Sequence, residues 1–321
     1  MPFAFDFQKL LRKQVKDSGE IRMKRVALSI ICLFLALTAL GFGIFSKGGE
    51  NTATTLLSVE SQEQTTASTG EVSQTCLGDL TILMYHNTLA KGKKQSVYCI
   101  NQDSLRKDFE YLKNNGYNVI SCQSLIKYVD NGTALPDKAV ILTFDDGYLN
   151  NMTYALPLLE EFGYSGLFSV VGDYTLFDKN GKGGGDFIYF GWNDIAQVSK
   201  NANVEIGLHS YSMHNTRPRL GVSQLNSESD EAYKQAFSSD TQKLVDKLGE
   251  LGVTSNIYAY PYGKYTKISE SVLKDKGIVM TLTCNEGINH IYGRRSLYLL
   301  KRINRDATKS SLGEVLSKYG A

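Results

Sequence analysis

Two adjacent carboxylates, Asp145 and Asp146, close the apolar run 139–144 (AVILTF) and are followed by Gly147. Two negative charges at the end of a buried strand are costly unless something positive is held there, and a metal ion is the simplest answer. One carboxylate can ligate the ion while the other, facing elsewhere, acts as a base. Read alone, the motif fits a solvated Asp-Asp-Gly turn equally well. His209 ends the run 204–208 (VEIGL), and His214 follows five residues later. Imidazoles so placed can reach one ion at Zn–N distances of about 2.0–2.1 Å. The chain has four histidines, and a third, His86, ends the run 81–85 (TILMY), so chance placement is a poor explanation. Pro261, Tyr262 and Gly263 close the run 256–260 with a tight turn that can aim a backbone N–H at a developing oxyanion. Together these residues describe a hydrolytic site. An aspartate and two histidines hold a divalent ion with a position open for water, beside a second aspartate and a separate histidine. An ion of the zinc type lowers the pKa of its water towards about 7.

The elements that must position these residues alternate short apolar runs with amphipathic ones, the pattern of βα units. Strands are expected over 81–85, 118–121, 139–144, 166–171, 204–208, 256–260, 279–282 and 297–303. Helices are expected over 104–115, 151–162, 193–199, 229–251, 267–276 and 310–318. The fold class is α/β, an irregular (β/α) barrel of about seven to eight strands, in which chemistry sits where strands end and loops begin.

This domain spans 77–321. Before it, 26–45 is a twenty-residue run without a charge, which as a helix extends roughly 30 Å, the thickness of a bilayer core. Residues 1–25 carry seven basic against three acidic side chains, so the positive-inside rule keeps them cytoplasmic and sends the rest of the chain outward. The reading is a single-pass signal anchor, with a cleaved signal peptide as its rival, and a flexible Ser/Thr/Glu-rich linker over 46–76. Lys and Arg (35) nearly balance Asp and Glu (33), which gives no reason to expect a nucleic acid partner. Five cysteines, Cys32, Cys76, Cys99, Cys122 and Cys284, show no metal or redox spacing and read as inert thiols. Trp192 reads as a staple at a helix start, His290 as a loop residue, and the glycine-rich 181–185 as a flexible loop.

TFDDG (143–147), HSYSMH (209–214) and YPYG (260–263) resemble, in order, the three motifs of carbohydrate esterase family 4, the NodB-homology polysaccharide deacetylases. The resemblance covers roughly residues 80 to 305. It implies Asp145 as catalytic base and Asp146, His209 and His214 as ligands of one divalent ion, zinc before cobalt, nickel, manganese or iron. It also implies an oxyanion contact from the Tyr262 N–H, and a sugar site lined by Pro261, the Tyr262 ring and Tyr148. The substrate implied is an N- or O-acetylated cell-surface polysaccharide.

Three departures bear on this. The five-residue histidine spacing resembles the branch acting on poly-N-acetylglucosamine. Ala259 stands where the third motif often has an arginine contacting the base, so Arg302 or Arg305 must reach it from the last strand, or the base lacks a partner. The usual C-terminal Leu-x-Leu-x-His motif is missing, and His86 fits its role as the acid that protonates the leaving amine. A non-catalytic glycan-binding module on the same fold, or a hydrolase of a non-sugar amide, is the alternative.

Overall fold

The structure, a computed structural model, describes residues 75–176 and 185–321. The basic segment 1–25, the apolar run 26–45, nearly all of the 46–76 linker and residues 181–184 lie outside the described residues. Among the described residues no helix is long and apolar enough to cross a membrane.

β5 (Ala139–Phe144) is buried at all six positions, as a parallel strand covered on both faces must be. It pairs in parallel with β1 (Gly78–Tyr85) and β6 (Gly166–Val170). The sheet continues in parallel through β7 (Val204–Leu208), β8 (Ile257–Ala259) and β9 (Met280–Leu282). Beyond β1, β10 (Asn289–Ile291) runs antiparallel to its first half and β11 (Ile303–Asn304) parallel to its second. Short β4 (Asn118–Val119) also pairs with β5, while β2 (Asn87–Leu89) and β3 (Cys99–Asn101) form a separate parallel pair. A parallel bridge from Leu282 to Leu300 brings the stretch before β11 against β9, so the last strand connects the two edges of the sheet.

Strand alternation sorts the side chains into two layers. Leu83, Tyr85, Leu142, Phe144, Phe168 and Val170 face outward into one core. There they meet α1 (Gln102–Asn114), α3 (Leu156–Phe162), α4 (Trp192–Val198), α5 (Asp230–Gly249), α6 (Lys267–Asp275) and α7 (Leu312–Ser317). Leu80, Ile82, Ile141, Leu167, Ile257, Ala259, Met280 and Leu282 face inward and pack on α2 (Cys122–Asp130). The Glu205 carboxylate of β7 accepts the first two N–H groups of α2, from Cys122 (2.7 Å) and Gln123 (2.8 Å), anchoring it at the end where strands begin. The same parity aims Met84, His86, Thr143 and Asp145 inward at the opposite end.

Several expected elements change shape. The strand over 297–303 is a 3-10 turn at Arg294–Leu297, then two short pairing stretches, because Leu299 takes a left-handed φ of 58° that no continuous strand allows. The helix over 151–162 opens as a π turn, Asn151–Ala155, before α3 begins. Pro157 has no N–H to give Thr153, so the α-helical ladder cannot run through that point. His290 lies in β10 rather than a loop, exposed, with Nδ1 2.6 Å from Asp79 Oδ1. The four described cysteines are free thiols.

Arg305 is committed away from the site. Its guanidinium donates to both Asp108 oxygens, at 2.7 and 2.9 Å, and the Tyr85 hydroxyl donates to the same carboxylate at 3.2 Å. Both partners are almost fully buried, which ties α1 to the end of the sheet. Asp108→Ala strands that guanidinium and is expected to lower stability by about 3–5 kcal/mol in denaturant unfolding, the usual outcome when one half of a buried pair is removed.

Candidate active site

Parallel pairing sets the strand ends level. Tyr85 is in register with Phe144, and the Asp145 N–H donates to the Tyr85 carbonyl at 3.0 Å, so His86 and Asp145 emerge side by side. Val170 is in register with Leu208, and the His209 N–H donates to the Val170 carbonyl at 3.0 Å. His86, Asp145, Asp146, Tyr148, His209, His214 and Tyr262 all line one cleft of about 480 Å³.

Arg302, with no exposed surface, reaches Asp145 from the segment between β9 and β1. Nη1 and Nη2 donate to the two carboxylate oxygens at 2.8 and 2.7 Å. Nη1 also meets Thr143 Oγ1 at 3.1 Å, and Nε donates to the Thr283 carbonyl at 2.8 Å. Burial pushes the Asp145 carboxyl up, but the Arg302 charge, with His209 and the Arg302 hydrogen bonds, outweighs it and holds the group below the ordinary carboxylate range.

Asp146 Oδ1 lies 3.5 Å from His209 Nε2 and 3.1 Å from His214 Nε2. The three donor atoms lie within 4.8 Å of one another. His209 Nδ1 faces the Ala259 carbonyl at 2.7 Å, so it carries the ring proton and donates it. In the neutral ring Nε2 is then a lone pair pointing at a carboxylate oxygen. Two facing lone pairs need a cation between them, either a proton or a metal ion. Ligands about 2.1 Å from a tetrahedral ion stand roughly 3.4 Å apart, so the separations fit an ion such as zinc. A hydrogen bond on the far ring nitrogen is the usual way a ligating histidine is oriented. His214 has one too, its Nδ1 meeting the Tyr174 hydroxyl at 2.8 Å.

The loop between the histidines is fixed by Asp240 of α5, which accepts from the N–H groups of Tyr211 (2.8 Å) and Ser212 (2.7 Å). Three of the five described non-glycine residues with left-handed φ belong to this site: Asp146 (72°), Ser210 (69°) and Tyr262 (56°). Strain of this kind persists only where the surroundings over-determine it, and it gathers at functional sites. The Tyr262 ring sits 4.7 Å from that of His214.

On the far side, His86 stands edge-on to Tyr98 at 4.9 Å. Its Nδ1 is buried with no hydrogen-bond partner among the described residues, and burial lowers its pKa against the pull of Asp146 and Asp145. Asn151, on the π turn, clamps the main chain around it. Its amide donates to the His86 carbonyl at 2.7 Å and accepts from the Thr88 N–H at 3.0 Å.

Two expected residues, Pro261 and Arg302, lie outside the cleft lining, Arg302 because it is wholly buried behind Asp145. Pro261 is buried, and the chain at Gly221 passes so closely over its carbonyl that a Cβ there would clash, so the proline shapes the turn. Trp192 begins α4 and packs on Tyr211, 6.5 Å away, as a helix-start staple would. Sequence reasoning missed Tyr98, Tyr174, Tyr189 and Cys284 in the lining. It also missed Asp240 and Asn151 as supports. None of these stands at a predicted strand end.

The polysaccharide deacetylase family profile matches residues 132–281, the stretch that carries Asp145, Asp146, His209, His214 and the Pro261 turn. Over that stretch the chain matches a polysaccharide deacetylase domain. The deacetylase domain is similar to the poly-beta-1,6-N-acetyl-D-glucosamine N-deacetylase of Escherichia coli, 27% identical over 227 residues, covering 64% of this chain and 34% of that protein. This chain thus spans about a third of that relative's length. It is also similar to the putative polysaccharide deacetylase YxkH of Bacillus subtilis, 24% identical over 213 residues and 65% of each chain. Its fold matches a de-N-acetylase from Aggregatibacter actinomycetemcomitans with a TM-score of 0.64 at 24% identity, over 75% of this chain and 100% of that one. IcaB from Ammonifex degensii gives 0.62 at 24% identity, over 76% and 98%.

Because the Asp145 carboxyl is held low, its pairing with Arg302 stabilises the domain above the ordinary carboxylate range, and the gain is lost as pH falls through the lowered folded value. Arg302→Met is expected to cost about 3–5 kcal/mol of unfolding free energy near neutral pH. Urea unfolding should show the gap to the unaltered chain narrowing on acidification. A gap constant down to about pH 3 would mean that packing, rather than the charge pair, was lost.

Proposed function

We propose that this chain is a metal-dependent hydrolase that removes acetyl groups from an N-acetylated cell-surface polysaccharide of the poly-N-acetylglucosamine kind. The observation that carries the reading is the convergence, in one cleft, of a buried Arg302–Asp145 pair, the Asp146–His209–His214 cluster and His86. The similarity to the Escherichia coli N-deacetylase supports the substrate class.

Asp146, His209 and His214 would hold the ion, which when bound acidifies water and polarises the acetyl carbonyl. Asp145 takes the proton of the attacking water, and Arg302 keeps that carboxylate ionised and fixes its orientation. The Tyr262 turn offers its N–H to the developing oxyanion, and its ring forms the wall beside His214. His86 gives a proton to the departing amine, which leaves free acetate and a glucosamine unit as products. The run 26–45 would anchor the domain to the cell membrane, with the 46–76 linker holding the cleft over polymers outside the cell. A non-catalytic glycan-binding module drew its support from Ala259 in place of the motif arginine and from the missing C-terminal histidine motif; Arg302 at Asp145 and His86 in the cleft favour the hydrolase over it.

Acetate release should be measured on β-1,6-linked N-acetylglucosamine oligomers, chitin oligomers and acetylated xylan, with zinc or cobalt added and after chelation. Asp145→Asn and His86→Ala are each expected to reduce turnover by roughly 10²–10⁴-fold, the range for losing general base or acid catalysis. Chelation should abolish it. Release that survives chelation, or full turnover by Asp145→Asn or Arg302→Met, would sink the mechanism.

A further inference from the structure

The two ends of the scissile amide must face different walls of this cleft. On the deacetylase reading, on which this inference rests, the acetyl carbonyl lies at the Asp146–His209–His214 side and the amine at the His86 side. The sugar is attached through that amine, so its ring must extend over whatever wall surrounds His86. That wall is Tyr98. Its ring meets His86 edge-on at 4.9 Å, and the residue is 59% exposed, open to receive another group.

The loop that carries Tyr98 is held in place. The Tyr98 carbonyl accepts from the Asn87 N–H at 3.1 Å, one residue after His86. Lys93 pairs with Asp186 at 3.2 Å on one side, and Gln95 donates to the Ala307 carbonyl at 3.4 Å on the other. An exposed aromatic ring on so constrained a segment is a preorganised surface, and the apolar C–H face of a pyranose is a group that such a ring takes up. His86 Nδ1 has no hydrogen-bond partner among the described residues, and the imidazole rests edge-on against the Tyr98 ring.

We infer that Tyr98 is the platform for the pyranose ring bearing the leaving amine, stacking that sugar while holding His86 at the angle needed to reach it. The cleft thereby selects a cyclic acetamido sugar over an acyclic acetamide. Tyr98 and Tyr262 divide the labour, one at the sugar end of the bond and the other at the acyl end.

The test is calorimetric titration of the metal-free full chain with a β-linked N-acetylglucosamine tetramer, for the unaltered protein, Tyr98→Ala and Tyr98→Phe, with thermal unfolding as a check on the fold. Tyr98→Ala is expected to weaken binding by roughly tenfold, as loss of an aromatic contact surface does, while Tyr98→Phe stays within about twofold. With the metal restored, Tyr98→Ala should raise KM for the tetramer and Tyr98→Phe should restore it. Tetramer binding indifferent to Tyr98→Ala overturns the platform, and so does an equal loss in Tyr98→Phe. An unaltered chain that binds no N-acetylated glycan sinks the deacetylase reading itself.

Discussion

Two carboxylates in a buried sheet mouth must each be given positive charge, and this structure supplies it from two separate places. Asp145 is neutralised within the protein by Arg302, whose five-donor fork is spent on Asp145, Thr143 and Thr283, with the Cys284 sulfur nearby at 3.9 Å. Asp146 has no such partner and faces two imidazole nitrogens whose outer positions are already bound. The asymmetry separates two chemically identical side chains. One is a carboxylate with its charge balanced and its geometry locked, and the other stands with two imidazoles in a group that could hold a metal ion. Burying either without its compensation would cost more than the domain could bear.

Much of this was legible in the sequence because strand parity and register are short-range rules. AVILTF announced β5, VEIGL announced β7, and the residues that follow them are the site. His86 could be placed because TILMY has the same inward parity. The Arg302 alternative was also open to inspection, since LLKRINRD offered only two candidates. Choosing between them required the structure, where Asp108 on a helix removes Arg305 from contention.

What escaped the sequence depends on long-range contacts with no periodic signature. Asp240 lay unremarked inside the expected helix over 229–251, yet it holds the loop between the two histidines. Asn151 looked like a helix start and instead fixes the backbone from His86 to Thr88. Cys122–Asp130 was not recognised as a helix, although it fills the inner core. Its amide capping partner, Glu205, lies more than eighty residues later.

Arg302 comes from the segment that connects the sheet's edges, 157 residues after the carboxylate it pairs with. β1 and β5–β7 all precede Arg302 in the chain, so they can pair while the Asp145 charge is still uncompensated. Ordering of the Asp145 carboxylate therefore coincides with completion of the sheet. A domain cut short before Arg302 would keep the motifs and much of the cleft, yet leave the Asp145 carboxylate buried without its cation.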